Sequence, residues 1–207
     1  MNGLRWCEDL GSDNYNLPGY FDIKKQRWSY YRMKTEGHNC ITLGGSNQIC
    51  SAKAPIIAFD GTPGRACAVA DLTAGYAPLA KRIQRGVILH GEAGALIQDE
   101  ISLEKPAELI WAVHTPATIT INGSEAQLKQ KGQTVVARII EPKDAQFELM
   151  PLPKVPESGR PLHTKKFGVR LAATKTTRLI VLFSSTSASA NLQPPLRPLS
   201  AWTKPLP

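Results

Sequence analysis

Residues 118–140 read TITINGSEAQLKQKGQTVVARII, and the first part of this stretch carries a period of two. Thr118, Thr120 and Asn122 alternate with Ile119 and Ile121, which gives a strand one wet face and one dry face. Asn122-Gly123 follows at once. Both central positions of a type I′ turn need positive φ, and Asn and Gly tolerate it, so the chain is expected to turn back into a strand beginning near Ala126. The Val- and Ile-rich run Thr134 to Ile140 reads as a further strand.

Outward from this hairpin the same signals recur at short intervals. Strands are expected at Ile56 to Phe59, Ala66 to Leu72, Arg85 to His90, Ala95 to Ile101, Glu108 to His114, Phe147 to Leu152, Gly168 to Ala172 and Arg178 to Ser184. Turn formers such as Gly44-Gly45-Ser46-Asn47 and Asp60-Gly61 lie between such runs. Arg178-Leu-Ile-Val-Leu-Phe is apolar on both alternations, as expected of a strand covered on two sides. The one helical candidate, Ala77 to Gln84, is short and runs straight into a β-type segment, so the pattern favours an all-β chain with little helix.

The chain has 207 residues, enough for one all-β domain with a tail. With 42% apolar and 20% charged residues, its composition is globular rather than disordered. No run approaches the roughly 20 apolar residues that span a bilayer, and Met1 to Leu10 lacks the order of a signal peptide, so the chain as written is expected in the cytoplasm. Cys7, Cys40, Cys50 and Cys67 show neither a CxxC pair nor zinc-finger spacing and read as free thiols. Lys and Arg outnumber Asp and Glu by 25 to 17, a net charge of +8, which favours an anionic partner, either an acidic polysaccharide or nucleic acid. Nucleic acid is disfavoured because neither an RNA-recognition aromatic signature nor a helix-turn-helix pattern is present. Beyond Ser184 the chain turns Ser/Thr/Ala-rich and then Pro-rich, so residues 188–207 read as an extended tail, with Trp202 a candidate anchor.

Aromatic and Arg residues crowd the first forty positions. Tyr15, Tyr20, Phe21, Trp28, Tyr30 and Tyr31 beside Arg27 and Arg32 suit a sugar-facing surface, where rings stack on sugars and guanidinium forks grip carboxylate or sulfate. Core burial explains the same residues, and both readings stay open. His38, between Gly37 and Asn39, needs partners from elsewhere to bind a metal, and Asp9 is the most attractive carboxylate.

The ordered series Gly3-Leu-Arg-Trp, Asp9-Leu-Gly, Tyr15-Asn-Leu-Pro-Gly-Tyr, Arg27-Trp-Ser-Tyr-Tyr-Arg and Glu36-Gly-His-Asn resembles the heparinase II/III-like polysaccharide lyases. Asp71-Leu-Thr-Ala-Gly-Tyr, Arg85-Gly-Val-Ile-Leu, Asp99-Glu-Ile and Glu108-Leu-Ile-Trp-Ala-Val-His continue the likeness. The resemblance implies that residues 1–187 form the family's C-terminal domain, a two-layer antiparallel β-sandwich. It further implies β-elimination on uronate-containing anionic polysaccharide, in a cleft against an N-terminal α/α toroid. Most acid and base groups belong to that toroid, so the chain alone is expected to be inactive. For substrate contact the candidates are Tyr15, Tyr20, Arg27 and Arg32. A zinc site in the family implies Asp9 and His38 as two ligands, with a third preceding Met1, hence weak or absent zinc here. A full-length parent would be periplasmic, and a β-domain face left bare would favour homo-oligomers.

Other sites carry less. Asp71, Asp99, Glu100 and His114 are not read as a second metal set; Asp71 and His114 stand at strand ends, where they are expected to satisfy backbone groups or meet solvent. His90 and His163 lack a partner pattern, and Ser185, Ser187 and Ser189 have no GxSxG context. The competing function is a non-catalytic binding module for anionic glycans.

Overall fold

The computed structural model describes residues 1, 3–64, 66–91, 93–185 and 197–202. Ten strands follow one another: β1 (Ile41–Leu43), β2 (Ile56–Asp60), β3 (Cys67–Asp71), β4 (Ala80–Leu89), β5 (Gly94–Thr115), β6 (Thr118–Asn122), β7 (Glu125–Gln130), β8 (Gln133–Glu141), β9 (Phe147–Met150) and β10 (Lys165–Ser185). Every pairing is antiparallel. Among the described residues the helical elements are short 3-10 turns, and no helix is long and apolar enough to cross a membrane.

The sheet runs β2-β3-β4-β5-β10-β8-β7-β6, with β1 beside β5 and β9 beside β10. Its two layers arise from two long strands. β5 and β10 span 22 and 21 residues and change neighbours along their length. The first half of β5 lies between β4 and the end of β10, whereas its second half lies between β1 and the start of β10. The change-over falls at Pro106, which has no N–H for a ladder, and opposite Ala173, whose φ is 45°; the register slips there between Leu171 and Thr176. The sheet thus folds over itself around one core. Ile83, Ile101, Leu179 and Phe183 of one layer join Ile41, Leu109, Trp111 and Phe167 of the other.

Two pairs of expected strands are therefore continuous. Ala95 to Ile101 and Glu108 to His114 both belong to β5, and Gly168 to Ala172 and Arg178 to Ser184 both belong to β10. The hairpin forms one residue later than a type I′ turn at Asn122-Gly123 would place it. Asn122 pairs with Glu125, so the loop is Gly123-Ser124, and Gly123 has a φ of 57°, the Gly-first pattern of a type II′ turn. This register keeps Ala126 and Leu128 fully buried, and a shift of one residue would turn them outward. Ala77 to Gln84 leads into β4, not a helix.

Strand β10 is covered on both sides, as its sequence implies. Leu179, Val181 and Phe183 enter the main core, while Ile180 and Leu182 face a second cluster that contains Leu199 and Trp202. Trp202 is 1% exposed, which makes it the anchor of the C-terminal segment. Residues 188–196 and 203–207 of the expected tail lie outside the described residues.

Candidate functional site

The N-terminal segment reaches the sandwich without joining a ladder. The backbone N–H of Glu8 donates to His114 O at 2.9 Å, which fixes the next residue, Asp9, beside the end of β5. Asp9 Oδ1 then accepts the Gly11 N–H at 2.9 Å. His38 arrives from the other direction, after the 3-10 turn Thr35–Gly37. Gly37 is required there because a Cβ would stand 1.9 Å from Tyr31 O. Asn39 Oδ1 accepts the His114 N–H at 2.7 Å. One residue, His114, therefore ties down both loops through its backbone.

Those ties bring Asp9 and His38 together, with Oδ2 and Nδ1 2.6 Å apart. Their side chains remain 55% and 37% exposed, so an incoming cation or ligand has access. Burial pushes the Asp9 carboxyl up, but the bonds from His38 and Gly11 outweigh it and hold the group below the usual carboxylate range. A carboxylate and an imidazole are the donor types zinc takes. Asp9 and His38 thus supply two donors of the kinds a zinc site uses, and among the described residues no group of three or more His, Cys, Asp or Glu side chains forms a metal set.

Behind the pair lies a buried polar frame. His114 is fully buried, with Nε2 2.8 Å from the Tyr31 hydroxyl and Nδ1 3.3 Å from Asn39 Oδ1. Asn39 Oδ1 can only accept, so Nδ1 carries the proton and Nε2 accepts from Tyr31. Burial and then the nearby Lys166 charge push the His114 pKa down to about 4, so the ring is neutral. Burial raises the Tyr31 hydroxyl. Lys166, itself 4% exposed, donates to Glu36 O at 2.9 Å. Deeper still, Arg85 grips the fully buried Asp99 with Nε–Oδ1 at 2.7 Å and Nη2–Oδ2 at 3.0 Å, and sends Nη1 to Asn39 O at 3.0 Å.

The expected sugar contacts divide. Tyr15 is 57% exposed, and its ring sits beside Tyr20 and Phe21. Tyr20 is buried, and its hydroxyl accepts the Asp13 N–H. Half-buried Arg27 lies 4.5 Å over the Tyr20 ring and donates to Tyr20 O at 2.9 Å. Arg32 is buried, and its two terminal nitrogens donate to the backbone carbonyls of Leu10 and Pro161. Tyr20 and Arg32 hold the loop together from inside, which leaves Tyr15 and the rim of Arg27 on the surface.

Of the demoted residues, Asp71 accepts the Thr73 N–H, as a strand-end carboxylate should. His114 does stand at the end of β5, but sealed in the interior rather than meeting solvent, and Asp99 is fully buried as well. Nothing local in the sequence marks them, because the Arg85–Asp99 pair follows from the β4–β5 register. All four cysteines are free thiols.

The family described as "Heparinase II/III-like, C-terminal" matches residues 1–187. Among solved structures, a heparinase III gene product superposes with a TM-score of 0.69 at 16% identity, covering 92% of this chain and 30% of that one. The heparan sulfate lyase HepC from Pedobacter heparinus gives a TM-score of 0.69 at 15% identity, with 88% and 28% covered. Another heparinase III gives 0.67 at 14%, with 89% and 28% covered. The chain therefore spans less than a third of each of these proteins. No curated protein matches it. At these identities the structural likeness speaks for the fold alone.

Proposed function

The chain belongs to the heparinase II/III-like family, as its C-terminal domain, and on that premise we propose that it is the β-domain of a lyase that cleaves uronate-containing anionic polysaccharide by β-elimination. One observation carries the reading. A chain whose family match covers residues 1–187 has the fold of a portion of heparin- and heparan-degrading enzymes.

β-Elimination needs a cation to neutralise the C5 carboxylate, a base for the C5 proton and an acid for the leaving oxygen. His114 and Tyr31 are the obvious acid and base types near the site, yet they bond to each other, and His114 is fully buried. Neither reaches a substrate. Acid and base therefore come from a toroid domain outside this sequence, and this chain contributes the neutralising cation through Arg27, with Tyr15 as a contact. The chain by itself is inactive. Incubated with heparin, heparan sulfate or alginate, it leaves the ultraviolet absorbance of a 4,5-unsaturated uronate flat; a steady rise would overturn this division of labour.

Asp9 and His38 are proposed as two zinc ligands, with a third from a segment upstream of this sequence. Zinc, when bound, supplies a fixed positive charge that ties the two loops together. Two protein ligands hold it loosely.

A second reading, a binding module for anionic glycans, is favoured by the exposure of Tyr15 and of Phe21, which is 67% exposed, on a chain of net charge +8. Titration with sulfated and unsulfated oligosaccharides separates it from the first: saturable binding without bond cleavage, weakened by Arg27→Ala, supports it, and equal binding by parent and variant removes it.

A further inference from the structure

The sheet has a second apolar face, away from the candidate site. Val69 of β3, Ile88 of β4, Leu96 of β5 and Ile180 and Leu182 of β10 line it, and Leu199 and Trp202 cover it at 2% and 1% exposure. The covering segment joins no strand ladder. Sheet side chains hold its backbone instead: Gln98 Nε2 donates to Arg197 O at 3.0 Å, and Glu100 Oε1 accepts the Leu199 N–H at 2.8 Å. The segment is closed on itself by a 3-10 turn, in which Ala201 N–H reaches Pro198 O at 2.9 Å and Trp202 N–H reaches Leu199 O at 3.2 Å.

Two features of the face make sense only with an occupant. Gly86 lies inside β4, where glycine weakens a strand for want of a side chain and through its larger entropy loss. A Cβ there would stand 2.4 Å from Leu199 Cδ2 and 2.6 Å from Trp202 Cζ3, so the glycine opens the space that the Leu and Trp fill. Gln98 is fully buried, and a buried amide costs stability unless it is bonded. Its donor is bonded to Glu100 and to the covering segment's carbonyl. A third fact is independent of both: the family match stops at residue 187, so slot and occupant meet across the boundary of the matched domain.

We propose that this face is a peptide-binding slot for a Pro-Leu-x-x-Trp segment, filled in this chain by its own residues 197–202. The amide of Gln98 and the carboxylate of Glu100 read the peptide backbone, while the space over Gly86 reads the Leu and Trp side chains. Tethering gives the chain's own segment a high effective concentration, so the parent is closed to the same peptide offered free. The slot owes nothing to the lyase reading.

The test uses the full chain carrying Leu199→Ala and Trp202→Ala, titrated with a fluorophore-labelled, acetylated and amidated peptide of residues 197–202. Anisotropy should show saturable binding to this variant and none to the parent, and adding Gly86→Ala should weaken binding roughly tenfold or more, the scale of an overpacked site. Absence of saturable binding to the folded variant, equal binding to the parent, or indifference to Gly86→Ala would each overturn the proposal. If the double variant does not fold, thermal melts decide. Gly86→Ala should lower the midpoint of the parent, and lower it less in a Leu199→Ala or a Trp202→Ala background, each of which removes one of the two clashes; the same shift in all three backgrounds refutes the slot.

Discussion

The Tyr31 hydroxyl lies 2.8 Å from Nε2 of His114, a ring with no solvent exposure at the end of β5. Because burial, and after it Lys166, lower the imidazole pKa to about 4, the folded ring stays neutral where an unfolded one takes up a proton. The folded pKa is depressed, so this contribution to stability is fully present above the unfolded value of about 6.5 and is lost as pH falls from there to about 4. The loss is on the order of 3 kcal/mol. Urea midpoints at pH 7.5 and pH 4.5 measure it. The difference between parent and His114→Gln should shrink as the pH falls, and a difference that does not change with pH would contradict the neutral, buried ring.

Arg85 and Asp99 face each other across β4 and β5, the carboxylate fully buried. Arg85→Ala strands that charge and should cost about 3–5 kcal/mol, whereas Arg85→Met with Asp99→Leu should recover most of the loss, because two desolvated charges disappear together. Denaturant unfolding of the single and double variants checks this. Since Arg85 also bonds Asn39 O, amide exchange around His38 should quicken in the single variant.

Arg32 and Tyr15 should respond in opposite ways. Arg32→Ala removes two carbonyl contacts and a packed stem, lowering stability by about 2 kcal/mol. Tyr15→Ala, at an exposed ring, should leave the melt within about 0.5 kcal/mol yet weaken glycan binding. Melting curves and oligosaccharide titrations run side by side separate frame from face; a glycan defect confined to Arg32→Ala would reverse the assignment.

Zinc should stabilise this chain only at concentrations above its dissociation constant, with a midpoint that climbs with the logarithm of added metal and falls back on adding a chelator. His38→Ala or Asp9→Ala should cancel the climb. Stoichiometric zinc that survives a chelator would show a closed site and overturn the two-ligand reading.

The order of motifs from Gly3-Leu-Arg-Trp to Glu108-Leu-Ile-Trp-Ala-Val-His was enough to identify the family, and Asp9 and His38, which that resemblance names as zinc ligands, lie with their side chains 2.6 Å apart. The roles of their neighbours were not legible. Tyr20 and Arg32 have the residue types of a sugar site, and only the fold shows that their polar atoms face the chain's own backbone.

What the sequence determined by itself is the all-β character, because alternation of apolar and polar residues is a local property that records which face of each strand is dry. It also determined the strand of Arg178 to Ser184 that is apolar on both faces. What only the tertiary structure decided is the partnership of distant positions. Pro106 and Ala173 bend β5 and β10 without ending them, the β4–β5 register sets Arg85 against Asp99, and Gly86 opens opposite Trp202. Register and layer contact depend on residues far apart in the chain, and a pattern read along one strand holds no information about which strand lies across from it.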